Sequence, residues 1–124
     1  MKIGPLTRTH FARFAAATND FNPVHVDDAF ARAAGLPSVV GSGLLAAGLI
    51  AEAFGPAVTG RRLSVRFKQP ILPGAALVCE PEPDGRCEVR TADGAVVAVG
   101  RLELPAAADG TDRQAPLAGA GGSR

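Results

Sequence analysis

Apolar residues recur at helical spacing in the first half of the chain and change to strict alternation in the second. In TRTHFARFAAATND, residues 7–20, Phe11, Phe14, Ala15 and Thr18 fall at i, i+3, i+4 and i+7, while Arg8 and Arg13 stay outside. The spacing predicts a helix with Thr7 or Thr9 as its cap. It must end near Asn19, because Pro23 forces an extended or turn geometry on Asn22 before it. DDAFARAAG, residues 27–35, predicts a second short helix, with Asp27 as cap, Phe30, Ala33 and Ala34 inward and Gly35 as its stop. GSGLLAAGLIAEAFG, residues 41–55, is apolar all the way round except at Glu52, so a buried helix is expected, ended by Gly55-Pro56.

Alternation then takes over. In RRLSVRFKQ, Leu63, Val65 and Phe67 alternate with Arg62, Ser64, Arg66 and Lys68, the pattern of a half-buried strand. ALVCE, CEVRTA and AVVAVGRLEL follow as further strands, separated by PEPDGR and by Asp93-Gly94. One long apolar helix followed by an antiparallel meander describes an α+β domain with the sheet wrapped around the helix. Four strands leave an exposed edge, and pairing with a second copy is a natural cover, so a dimer is expected. Residues 1–104 are read as a single domain and residues 105–124, small, polar and rich in Gly and Ala, as a disordered tail.

Composition narrows the classes. The chain is 47% hydrophobic and 20% charged with a net charge of +1, which gives no footprint for nucleic acid or a membrane surface. The longest apolar run, residues 43–51, is about half a membrane span. Met1 leads straight into KIGPLTRT without a long apolar region, so no signal peptide is read and a cytoplasmic protein is expected. Cys79 and Cys87 flank the PEPDG turn, where a hairpin brings them opposite each other, and are read as reduced core residues. Without a CxxC or a Cys/His cluster, no structural zinc site is expected.

The chemistry concentrates in NDFNPVH, residues 19–25. Asp20 and His25 lie five apart on a segment that Pro23 holds out of helix, and Asn22-Pro23 makes a rigid bend able to aim both side chains into one space. A carboxylate beside an imidazole is equipment for moving protons near neutral pH. Asn22 brings donors and an acceptor to lock the bend. The same residues are also good turn chemistry, and a satisfied turn stays open as the alternative. Asp27 and Asp28 extend the group towards a metal site, but they stand where a helix cap is wanted, and capping is the reading preferred.

TNDFNPVHVDDAFARAAG closely resembles the hydratase motif of MaoC-like dehydratases and (R)-specific enoyl-CoA hydratases, which have hot-dog folds. Asp20, Asn22, Pro23, Val24, His25, Asp27, Ala29 and Phe30 match the family pattern. The likeness continues through SGLLAAGLIAEAF, the family's central helix, and VRFKQPILPGAAL, and covers roughly residues 3–104. The resemblance implies a dehydratase/hydratase interconverting (R)-3-hydroxyacyl and trans-2-enoyl thioesters, carried on coenzyme A or an acyl carrier protein, without a cofactor or metal. It implies an acid/base pair in Asp20 and His25 and a loop oriented by Asn22 and Pro23. It also implies backbone N–H groups near Gly43 that polarise the thioester carbonyl at a helix N-terminus.

The sequence departs from the pattern in three places. Ser42-Gly43-Leu44 stands where many relatives carry His-Gly-Met or His-Gly-Leu, so Ser42 is either a helix cap or a contact to the thioester or pantetheine. The segment between the helix and Arg61 is short, and only MKIGPL stands where a first strand and turn are usual. Arg61, Arg62, Arg66 and Lys68 suit either a solvated strand face or the phosphates of coenzyme A or an acidic carrier protein. His10 is read as idle on a helix surface. The assembly is expected to be a homodimer or a heterodimer with another hot-dog subunit. The competing functions are a mainly structural subunit and a hot-dog thioesterase, for which Glu52 is the candidate carboxylate.

Overall fold

The computed structural model describes residues 1–105. β1 (Lys2–Ile3) opens the chain. α1 (Arg8–Ala17) and α2 (Asp28–Ala33) flank a 3-10 turn (Pro23–His25), and α3 (Gly43–Phe54) runs into a second such turn (Gly55–Val58). β2 (Leu63–Phe67), β3 (Leu77–Pro81), β4 (Arg86–Thr91) and β5 (Val96–Leu102) complete the fold. Every strand pair is antiparallel and the order across the sheet is β1-β3-β4-β5-β2. The sheet thus has five strands where four were read, because Lys2 and Ile3, too few to show an alternation, pair with Val78 and Leu77. The expected tail lies, from residue 106 on, outside the described residues.

α3 lies in the hollow of this sheet, the hot-dog arrangement. Its Ala46, Leu49 and Ile50 are buried against an inner face built by Leu77, Cys79, Cys87, Val89 and Ala98. Gly100 on β5 lets the helix come close: a Cβ there would stand 2.8 Å from Ile50 Cγ2. Removing a side chain the size of Ile50 from water stabilises the fold by about 1.5–3 kcal/mol. The helix is nevertheless not buried all round, as its sequence suggests. Leu44 is 60% exposed, and Gly48 and Glu52 are exposed too, because one curled sheet covers only one flank. Beside that flank, β2 forms an edge without a further strand among the described residues.

The two short helices differ in detail from their sequence patterns. Thr7 caps α1, and His10 is not idle: its Nδ1 accepts the Thr7 N–H at 2.9 Å while Thr7 Oγ1 accepts the His10 N–H, a capping box with histidine in the usual Glu/Gln position. Phe11 and Ala15 are buried, Phe14 is half-buried and Thr18 is exposed, its hydroxyl donating to the Phe14 carbonyl at 2.8 Å. On α2, Asp27 caps as expected by accepting the Phe30 N–H at 3.1 Å. The inward residue, however, is Ala31, and Phe30, Ala33 and Ala34 face outward. The reason is Asp28, three residues before Ala31 and hence on the same face, which is tied to Arg8 and to the Val39 N–H.

Cys79 and Cys87 are free, buried thiols with their sulfurs 2.9 Å apart on the inner face. Burial, and then the neighbouring thiol, push Cys87 up to about 12. Among the described residues no helix is long and apolar enough to cross a membrane.

Candidate active site

Asp20 is placed by the end of α1. Asn19 takes the left-handed conformation at φ 58°, its N–H bonds to the Ala16 carbonyl at 3.2 Å, and the Asp20 N–H reaches the Ala15 carbonyl at 2.8 Å. These two bonds are the Schellman closure of a helix, with asparagine in the position glycine usually fills. The chain leaves at a fixed angle and Asp20 is its second residue out. The next turn is equally determined. Asn22 is extended (φ −66°, ψ 119°), as the residue before proline must be, and its Oδ1 accepts the Val24 N–H at 3.1 Å. Pro23 then occupies the first position of the 3-10 turn, where its missing N–H costs nothing.

The bend brings two functional groups together. Asp20 Oδ1 accepts the Asn22 N–H at 3.1 Å, which turns Oδ2 towards His25 Nε2, also at 3.1 Å. His25 is 8% exposed, and its Nδ1 lies 2.8 Å from the carbonyl oxygen of Val40. A carbonyl only accepts, so Nδ1 carries a hydrogen. Nε2 then faces the carboxylate at hydrogen-bond distance, an arrangement suited to passing a proton between the two groups.

Val40 is itself held. Its N–H bonds to the Val24 carbonyl at 3.0 Å, and the Val39 N–H before it donates to Asp28 Oδ1 at 3.0 Å. The other oxygen of Asp28 pairs with Arg8 at 2.7 Å. The Arg8 guanidinium and the Val39 N–H hold the Asp28 carboxyl below the usual carboxylate range. Asp28 and Val40 escape a reading of the sequence for different reasons. Asp28 hides behind Asp27, although one acid suffices for a cap and the second was a usable signal. Val40 acts through its backbone and leaves no side-chain trace.

Three residues beyond Val40 stands the start of α3. Ser42 Oγ accepts the Leu44 N–H at 3.2 Å, so the cap role is the one its side chain fills. The Gly43 N–H, first of the helix, has no acceptor among the described residues. Gly43 lines a hollow of ≈ 390 Å³ together with Gly41, Ala46, Phe67, Lys68 and Ile71, among others. Phe67 presses close to Gly43: a Cβ there would be 3.1 Å from its ring. His25 opens on a separate cleft of ≈ 250 Å³, with Arg8, Thr9, Ala12, Val26 and Val39. Asp20, Asn22, Pro23 and His25 are therefore gathered into one cluster. Ser42 and Gly43 lie on the next segment, and the two hollows share no lining residue in the single chain. Exposed Phe67 lines the first hollow and exposed Val26 the second, and Phe21, Phe30 and Leu44 are further exposed apolar residues of the helical half.

A family model described as the MaoC-like domain matches residues 2–103. The (R)-specific enoyl-CoA hydratase of Aeromonas caviae is 34% identical over 76 residues, which is 57% of this chain and only 57% of that protein. Among solved structures, the Aeromonas caviae (R)-hydratase involved in PHA biosynthesis superposes with a TM-score of 0.62 at 26% identity, over 85% of this chain and 93% of that one. HtdX of Mycobacterium tuberculosis superposes with a TM-score of 0.74 at 27% identity, over 85% of this chain and 47% of that one.

Proposed function

This chain belongs to the MaoC-like domain family, and we propose that it adds water to trans-2-enoyl thioesters, and removes it from (R)-3-hydroxyacyl thioesters, by acid/base catalysis at Asp20 and His25. The observation that carries the reading is the imidazole held at Nδ1 by Val40 with its Nε2 at hydrogen-bond distance from Asp20. In the hydration direction the pair takes a proton from water as its oxygen bonds to C3 and delivers a proton to C2. The proton count of the pair is unchanged over a turnover, so no cofactor is needed. The C2 proton of a thioester is weakly acidic, and negative charge builds on the carbonyl oxygen as the reaction proceeds. The Gly43 N–H, at the positive end of α3, is suited to receive that charge. Ser42 keeps this end of the helix in shape through its cap bond.

A second hot-dog subunit, identical or related, completes the site. The bare flank of α3, the open edge of β2 and the exposed Phe67 and Val26, one in the lining of each hollow, support this, since a partner laid there would roof the two into one chamber. The thioesterase reading is weaker: Glu52 is exposed and stands nine residues along α3 from Gly43, about 13 Å at the helical rise. The test is hydration of a crotonyl thioester, followed by loss of the enoyl absorbance. Turnover that survives in both Asp20→Asn and His25→Ala would refute the mechanism, and release of free thiol without hydration would favour hydrolysis.

A further inference from the structure

The carbonyl of Val40 and the N–H of Gly41 belong to one planar peptide group, and both are engaged. The oxygen lies 2.8 Å from His25 Nδ1, and the N–H donates to the Ile71 carbonyl at 2.8 Å. Gly41 and Ile71 form an isolated antiparallel bridge, and Ile71 is buried. An amide that donates through its N–H is polarised and accepts more strongly at its oxygen. The Ile71 bond thus strengthens the hold on the imidazole as well as aiming it. A third constraint is steric. A Cβ on Gly41 would stand 2.9 Å from Phe11 Cε1, 3.2 Å from Phe11 Cδ1 and 3.3 Å from Ile71 Cβ, so the ring edge of Phe11 lies against bare backbone. Phe11 is 1% exposed and cannot swing aside without opening a gap in the core.

Phe11 belongs to α1, and the end of α1 places Asp20. The peptide that the ring presses against holds His25. One side chain therefore stands between the helix that carries the carboxylate and the backbone that anchors the imidazole. Close packing makes such a contact a fixed spacer. Resting on the hydratase reading above, we propose that Phe11 is a positioning residue: its ring, wedged against Gly41, sets the distance between Asp20 Oδ2 and His25 Nε2. Phe11 lines neither hollow, so it acts through α1 on one side and the 40–41 peptide on the other. Gly41 is its complement, since a side chain there would take the place of the ring edge.

The experiment follows hydration of a crotonyl thioester by wild type, Phe11→Leu, Gly41→Ala and the double variant. Leucine removes the ring edge and alanine adds a carbon against it, so the single substitutions shift the peptide in opposite senses. Each should lower kcat about ten-fold and leave KM within about two-fold of wild type. In the double variant the added methyl fills the space the ring gave up, and kcat should return to within about three-fold of wild type. Proton spectra of the His25 Nδ1–H give a second readout that needs no turnover: the resonance should move in each single variant and return in the double. Unchanged kcat in either single variant, whatever its melting temperature, would overturn the assignment. So would a loss confined to KM, or losses that simply multiply in the double variant. Should wild type leave the thioester unhydrated, the hydratase reading fails, and the resonance then decides the role of Phe11 by itself: displacement with return supports it, and any other pattern overturns it.

Discussion

Asp28 Oδ1 accepts the backbone N–H of Val39 at 3.0 Å, one residue before the carbonyl that fixes the imidazole of His25. The carboxylate touches no group that would meet substrate in the proposed reaction, yet it sets the position of one that does. Arg8, on a different helix, holds its other oxygen at 2.7 Å. A surface ion pair of this kind ordinarily contributes little. Here its role is geometric.

Asp28→Ala should therefore lower kcat about ten-fold with little change in KM, as misplacement of a proton-transfer group does. Asp28→Asn, which can still accept from Val39, should lose less. Stability offers a separate readout. The Asp28 carboxyl is held below its ordinary range, so the folded state binds its proton more weakly than the unfolded chain does. Its contribution is present at neutral pH and fades as pH falls below about 4. The gap in melting temperature between wild type and Asp28→Asn should narrow across that window, and a gap independent of pH would show that the carboxylate is not ionised in this bond.

Replacing either member of the Asp20–His25 pair should cost far more. Asp20→Asn and His25→Gln are each expected to reduce kcat by about 10²–10⁴-fold, the usual range for a positioned acid or base. Circular dichroism should be unchanged, since Asp20 lies on a loop and glutamine keeps a polar group near Val40. Nitrogen-15 spectra of the His25 ring should show the hydrogen of the neutral imidazole on Nδ1. A spectrum with Nδ1 bare would contradict the bond to Val40.

Gly43→Pro isolates the amide at the start of α3. Proline is favoured at the first position of a helix, and Ser42 already has the extended geometry (φ −66°, ψ 139°) that a following proline demands. The substitution removes the N–H while leaving the helix its ordinary start. If that N–H receives the developing charge, kcat should fall about 10²–10³-fold. Gly43→Ala is the control for the added carbon, which would come within 3.1 Å of the Phe67 ring. It should cost less than the proline, and equal losses would assign the effect to crowding.

The paired thiols set an alkaline limit. Cys87 is raised to about 12, and burial raises Cys79 as well. An unfolded chain, whose thiols ionise at about 8.5, gives up these protons first. Between that pH and about 12 the folded state therefore binds more protons, so stability falls as pH rises. The Cys79→Ala/Cys87→Ala protein should lose less stability between pH 8 and 11 than wild type does. In native wild type neither thiol should react with an alkylating reagent at pH 8, and both should react in denaturant.

Local rules made part of this molecule legible in advance. Leu77, Cys79, Cys87 and Val89 alternate inward because a pleat leaves no other choice, and Gly35 stops α2 because φ 92° suits little else. Asp20 and His25 meet because five residues and one proline suffice to bring them together. Other features had no local signature. An all-apolar helix does not say which flank the sheet will leave bare, so the exposure of Leu44 was hidden. The facing of α2 was decided by Asp28 reaching Val39, eleven residues away. The carbonyl of Val40 belongs to the backbone, which every residue has.

The left-handed Asn19 ties the length of α1 to the direction of the Asp20 carboxylate. One residue inserted into or deleted from that helix would swing everything beyond its end through about 100° and slide it along the axis. The chain can accept extra residues at the Asp93-Gly94 hairpin, where nothing stands within 4 Å of a Cβ built on the glycine. Across α1 it has no such freedom, because any change of length there carries the carboxylate away from the imidazole.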